Sequence, residues 1–216
     1  MSKKIIILGA GGCARELEWL ICDINKEKIQ FEFLGYVVSD LEKLTKRDSA
    51  DKVIGDIAWL FSNQNKWDSL CIGIGDPQTR KRIVEKVKTT CSDANFPTLI
   101  HPSVMIDKRS ATIEEGVTVA AGCVVSSNTH IHRYTMVSFN SVLTHECQIG
   151  EYCVINPSVN ISGGVQIGNE TLVGTGSQVL QYVRIGSMVQ IGAGAVVTKN
   201  VSDNMTVTGV PAKPKV

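Results

Sequence analysis

The 216-residue chain has no surplus of charge of either sign: 22 Lys and Arg stand against 21 Asp and Glu, a net +1. That balance gives neither nucleic acid nor an anionic membrane surface a reason to bind. No apolar run approaches the ~20 residues of a membrane span, so no membrane insertion is expected. The opening Met1-Ser2-Lys3-Lys4, followed by Ile5–Leu8, is too short an apolar run for a secretory signal. The seven cysteines have no paired spacing. Cys123, Cys147 and Cys153 read as core packing in a reducing, cytoplasmic setting.

What is present is a strict repeat. From Ile113 to Val197 every sixth residue is Ile, Val or Leu, without a break. Four residues after each stands a small or β-branched residue, among them Cys123, Thr129, Thr135, Ser141, Cys147, Cys153 and Ser177. A six-residue period cannot hold one face of an α-helix. It does suit a chain that turns a corner every six residues, the hexapeptide form of a parallel β-helix. Three hexads make one triangular coil, so residues eighteen apart stack. The residue before each repeat aliphatic should point outward, and Met136, Val154 and Leu172 then form an apolar strip expected to be exposed on one chain and buried between subunits. After Val197 the polar stretch and the Pro-rich tail are expected to cap the solenoid.

The first 97 residues read differently. Ile5–Leu8 is a buried strand, Gly9-Ala10-Gly11-Gly12 a turn, and Ala14 to about Lys28 an amphipathic helix. Further strands are expected at Phe31–Val38, Val53-Ile54 and Leu70–Ile74, with helices after Asp56 and from Gln78 to Lys88. This is a small Rossmann-like α/β domain over 1–97, followed by a β-helix domain with its cap over 98–216. Gly9, Gly11 and Ala14 fit a relaxed dinucleotide fingerprint. The turn is either a tight βα connection or a phosphate cradle at a helix N-terminus. Asp40, after Ser39 at the end of the second strand, is a solvated acid or a ligand for a ribose or base. His101, before Pro102, reads as structural.

Chemistry in the repeat region must lie outside the apolar coil. Three histidines lie there, His130, His132 and His145, offset by 2, 13 and 15 positions. Bringing all three to one ion would need a subunit boundary, so no metal site is expected and His130 and His132 read as surface groups. His145 is followed by Glu146, and one coil above it stands Gly163. A surface His-Glu pair is ordinary. A glycine stacked on it leaves a backbone N–H near the imidazole, which suits acyl transfer: a base for the nucleophile, a carboxylate to orient it, and a donor for the oxyanion. The columns Gly150/Gly168/Gly186 and Gly174/Gly192 reflect corner geometry, or leave a groove for a long, thin ligand.

The motifs Gly9–Arg15, Ile74-Gly75-Asp76 with Arg80, Ile100-His101-Pro102-Ser103, His145–Gly150 and Gly209-Val210-Pro211-Ala212-Lys213 together resemble the sugar acyltransferases related to sialic acid O-acetyltransferase. That group includes nucleotide-amino-sugar N-acetyltransferases of the bacillosamine-pathway type. The resemblance implies a left-handed β-helix and a homotrimer with acetyl-CoA in a groove between neighbouring helices. It implies His145 as general base and Glu146 as its partner, with Gly163, Gly174, Thr175 and Ala193 at the acetyl-CoA site. Gly11, Gly12, Cys13, Ser39, Asp40 and Gly75 match positions that hold a nucleotide-sugar. Relatives often carry histidine where Cys13 stands, and some carry one where Val154 stands. The expected function is acetyl-CoA-dependent N-acetylation of a nucleotide-linked amino sugar. The alternatives are sugar O-acetylation of the sialic acid type and a non-catalytic nucleotide-binding protein.

Overall fold

Four consecutive aliphatics, Ile5–Leu8, are fully buried because the strand they form lies inside a parallel sheet with both faces covered. The computed structural model describes residues 2–215. The chain divides into two compact units, residues 1–75 with 79–102, and residues 76–78 with 103–216.

In the first unit, β1 (Lys3–Leu8), β2 (Phe31–Val38), β3 (Val53–Asp56) and β4 (Ser69–Ile72) form an all-parallel sheet in the order β3-β2-β1-β4. The helices α1 (Gly12–Glu27), α2 (Ile57–Ser62) and α3 (Pro77–Thr90) connect or follow the strands. α1 buries Ala14, Leu17, Leu20, Ile21 and Ile24, a stripe at helical spacing. It approaches the sheet closely: a Cβ on Gly73 would stand 2.7 Å from the Ala14 Cα. Asp56 caps α2, its carboxylate accepting the Trp59 N–H at 2.8 Å. His101 Nε2 lies 3.1 Å from Asp23 Oδ2, a structural pairing.

The second unit is a parallel β-helix. Its two-residue strands pair with those eighteen residues on, as in Thr118↔Met136↔Val154↔Leu172↔Gln190, and stack into three sheets. The repeat aliphatics fill the interior; Ile131, Val137, Leu143, Ile149, Ile155 and Ile161 are wholly inaccessible. The small residue of each hexad is equally buried, and its identity has a polar reason. Thr129, Thr135, Ser141, Thr171 and Ser177 each donate a hydroxyl hydrogen bond to the carbonyl fifteen residues on, at 2.7–3.0 Å. The thiols of Cys123, Cys147 and Cys153 do the same at 3.0–3.3 Å. These groups satisfy carbonyls the strand ladder leaves over. After the last full coil, Thr206–Thr208 stacks parallel on Gln190–Ile191, and Lys213–Pro214 pairs antiparallel to Thr206–Thr208.

Two expectations are corrected. Gly150, Gly168, Gly174, Gly186 and Gly192 are not where the corner geometry demands glycine. The left-handed position falls two residues later in each hexad and is held by Asn128, Tyr134, Asn140, Glu146, Tyr152 and Ser158 among others, with φ of 54–62°. The earlier glycines are needed for close stacking: a Cβ on Gly174 would stand 2.5 Å from Ile191 O. Nor is the apolar column an exposed strip. Val154 is wholly buried within the single chain and Met136 nearly so, leaving only Leu172 partly exposed.

Candidate functional site

His145 and Glu146 are the two turn residues between the strands Val142–Leu143 and Gln148–Ile149. Glu146 holds the left-handed position, φ 62°. That kink turns its carboxylate back toward its neighbour, and Glu146 Oε2 lies 3.5 Å from His145 Nδ1. Both side chains are more than half exposed. The ring is fixed from the next coil. Gly163 lies against it, and a Cβ there would stand 2.2 Å from His145 Cε1 and 2.4 Å from Nε2. Gly164 N–H donates to His145 O at 2.9 Å, locking the two corners in register. Among the described residues the Gly163 N–H has no hydrogen-bond acceptor. One residue escaped sequence reasoning: Tyr182, 68% exposed, lays its ring on Gly164 and adds an aromatic wall to this corner. The absent side chain of Gly164, eighteen before it, was the available signal.

Thr175 and Ala193 stack one above the other and are exposed, beside Gly174. They occupy a different corner, between the strands Leu172–Val173 and Gln178–Val179. A single chain therefore does not bring them to His145.

In the first unit a cleft of about 310 Å³ opens at the carboxyl ends of β1, β2 and β4, the place where parallel sheets bind ligands. Gly11, Ser39 and Asp40 line it. Gly11 is the N-cap of α1 and supplies no side-chain cap, so the positive end of the helix dipole lies at the cleft wall. Lys43 and Arg82 add positive charge to the lining. Asp40 is not a free loop acid. Its Oδ1 accepts the Glu42 N–H at 3.0 Å and its Oδ2 pairs with Lys43 Nζ at 3.0 Å. The Lys43 ammonium, and then the Glu42 N–H, hold its carboxyl below the ordinary range. Gly12, Cys13 and Gly75 do not line the cleft. Gly75 is exposed with open space about it, and Gly12 lies exposed at the start of α1. Burial pushes the Cys13 thiol up to about 11 against the pull of Arg80, so it is neutral at pH 7. Arg80 is itself wholly buried and donates to Ile72 O at 3.0 Å and Ile74 O at 2.7 Å, tying down the end of β4 beside the cleft.

Residues 4–87 match the family described as the PglD N-terminal domain. The PglD-type domain and the β-helix together superpose on solved structures over essentially the whole chain. The acetyltransferase domain of PglB from Neisseria gonorrhoeae, solved with acetyl coenzyme A, is 28% identical with a TM-score of 0.85, covering 100% of both chains. PerB from Caulobacter crescentus, solved with CoA and GDP-perosamine, is 26% identical with a TM-score of 0.87, covering 99% of this chain and 97% of its own. WeeI from Acinetobacter baumannii shares the fold at 23% identity and a TM-score of 0.82, covering 98% of this chain and 99% of its own. The resemblance read from the motifs thus extends over both the PglD-type domain and the coils. No helix among the described residues is long and apolar enough to cross a membrane.

Proposed function

We propose that the chain is an acetyl-CoA-dependent N-acetyltransferase for the amino group of a nucleotide-linked amino sugar, working as a homotrimer. The observation that carries this is the Gly163 backbone seated against the His145 ring, with the Glu146 carboxylate on the ring's far nitrogen. The likeness to structures that hold acetyl-CoA, or CoA with GDP-perosamine, supports the choice of substrates. Glu146 at Nδ1 leaves His145 Nε2 to take a proton from the attacking amine. The nitrogen bonds to the thioester carbon, and the Gly163 N–H donates to the oxygen that gains charge. Collapse breaks the C–S bond, and the proton held by His145 leaves with the CoA thiol. The nucleotide is assigned to the α1 N-terminus cleft, with Gly11 and Ser39 at its wall, and Asp40 released from Lys43 to bond a ribose or base. Gly12, Cys13 and Gly75, which the resemblance also places at the nucleotide-sugar, lie outside the lining of that cleft.

The test is release of free thiol from acetyl-CoA in the presence of UDP-, dTDP-, GDP- or CMP-linked amino sugars. His145→Ala is expected to cut turnover by roughly 10²–10⁴-fold, the usual worth of a general base, with the assembly intact. Retained turnover removes the base assignment. Thiol release with a free sugar alcohol, and no thermal shift with any nucleotide sugar, would favour O-acetylation instead. Nucleotide binding without thiol release would mark a non-catalytic binder.

A further inference from the structure

The second unit carries a cluster that the proposed reaction does not use. His130 and His132 flank the inward Ile131 on one coil and both face outward, their rings 3.8 Å apart and 30° from parallel. Glu114 stands one coil below, eighteen residues before His132, and reaches up between them. Its Oε1 lies 2.7 Å from His130 Nε2 and 3.1 Å from His132 Nδ1. Its Oε2 accepts the Arg133 N–H at 3.2 Å and lies 3.6 Å from Arg133 Nε. The three donor atoms all lie within 4.8 Å of one another and are only partly exposed. The reading of the sequence compared the histidines only with each other and overlooked the acid stacked beneath them.

We propose that Glu114, His130 and His132 form a binding site for a first-row divalent cation of the zinc type, separate from the acyl-transfer corner. Two imidazole nitrogens and one carboxylate oxygen are the donors such ions prefer, at about 2.0–2.2 Å each. Ligand atoms so placed stand about 3.3 Å apart, so a small turn of the Glu114 carboxylate away from the rings opens the cluster to the right size. The ion takes the place of the N–H protons that the imidazoles now direct at the carboxylate. Water fills the fourth position. The site joins two successive coils, so the bound ion clamps the start of the solenoid and is not needed for acetyl transfer.

Chelator-treated full-length protein titrated with Zn²⁺ in a calorimeter is expected to take up one ion per chain and to melt higher. Co²⁺ is expected to give the visible absorption of a low-coordinate site. Glu114→Gln and His132→Asn, both close in shape to the native residues, are expected to weaken Zn²⁺ binding at least tenfold, with far-ultraviolet circular dichroism unchanged. His145→Ala is expected to bind Zn²⁺ as tightly as the unaltered chain. Absence of stoichiometric binding, or binding that persists in both ligand variants, would overturn the assignment.

Discussion

A Cβ at residue 163 is the smallest change that tests the acyl-transfer corner. In Gly163→Ala the new carbon would stand within 2.9 Å of three imidazole atoms, so the ring must swing away. A displacement of about 1 Å from productive geometry costs on the order of 10²-fold in rate. We expect kcat/KM to fall by that order in the thiol-release assay while the melting curve changes little. Unaltered kcat/KM would show that the ring's position is irrelevant. Glu146 offers the converse. It sits at φ 62°, a conformation that costs a residue with a side chain about 1–2 kcal/mol. Glu146→Gly is therefore expected to stabilise the protein by about 1 kcal/mol in urea unfolding while lowering turnover. The drop should be smaller than for His145→Ala, because the pair is more than half exposed at 3.5 Å and solvent screens it. A variant that lost both stability and activity would show that the carboxylate serves the fold.

At the scale of the coil, the inward hydroxyls make a sharper claim than apolar filling does. Thr135 Oγ1 donates to Gly150 O at 2.7 Å and accepts the Cys153 N–H at 2.9 Å, wholly buried. Thr135→Val keeps the volume and orphans both partners, so a loss of about 1–3 kcal/mol is expected in denaturant unfolding. Thr118 is the control: its hydroxyl is buried and meets no hydrogen-bond partner among the described residues, and Thr118→Val is expected to be neutral or stabilising. Equal effects at both positions would remove the hydrogen-bond account. The β-helix was legible because the six-residue period is a direct image of the winding, and every repeat aliphatic from Ile113 to Val197 obeys it. The strand expected at about Phe31–Val38 is β2, because an apolar run between polar turns leaves little choice. The glycine columns were misread. Glycine is needed in each coil both for close stacking and for left-handed turns, and the sequence marks the residue without saying which demand it meets. The Asn, Glu, Tyr and Ser residues that carry the left-handed turns gave no such mark.

For the whole molecule the decisive fact is that His145 and Gly163 stand at one corner of the triangle while Gly174, Thr175 and Ala193 stand at another. The same eighteen-residue arithmetic that stacked Gly163 on His145 already separates them, since 175 and 145 differ by thirty. A coenzyme that touches both sets must therefore lie between two copies of the chain. A single chain also leaves the His145 corner open to water, where one backbone N–H does little for an oxyanion. In the proposed homotrimer, closed threefold symmetry would supply the second wall and place three equivalent sites in the assembly. The expectation is tested by complementation. His145→Ala lacks the proposed base, and Ala193→Trp blocks the exposed corner proposed for the coenzyme, so neither variant should be active on its own. In a mixed trimer, one junction joins an intact His145 to an intact Ala193 on the neighbouring chain. Random mixing of equal amounts makes about three in four trimers mixed, each with one of three sites rebuilt, so about a quarter of native activity should return. If each site lay within one chain, every chain in the mixture would carry a defect in its own site and no activity would return. Sedimentation of each variant as three chain masses is required alongside, because recovery means nothing if the chains do not assemble.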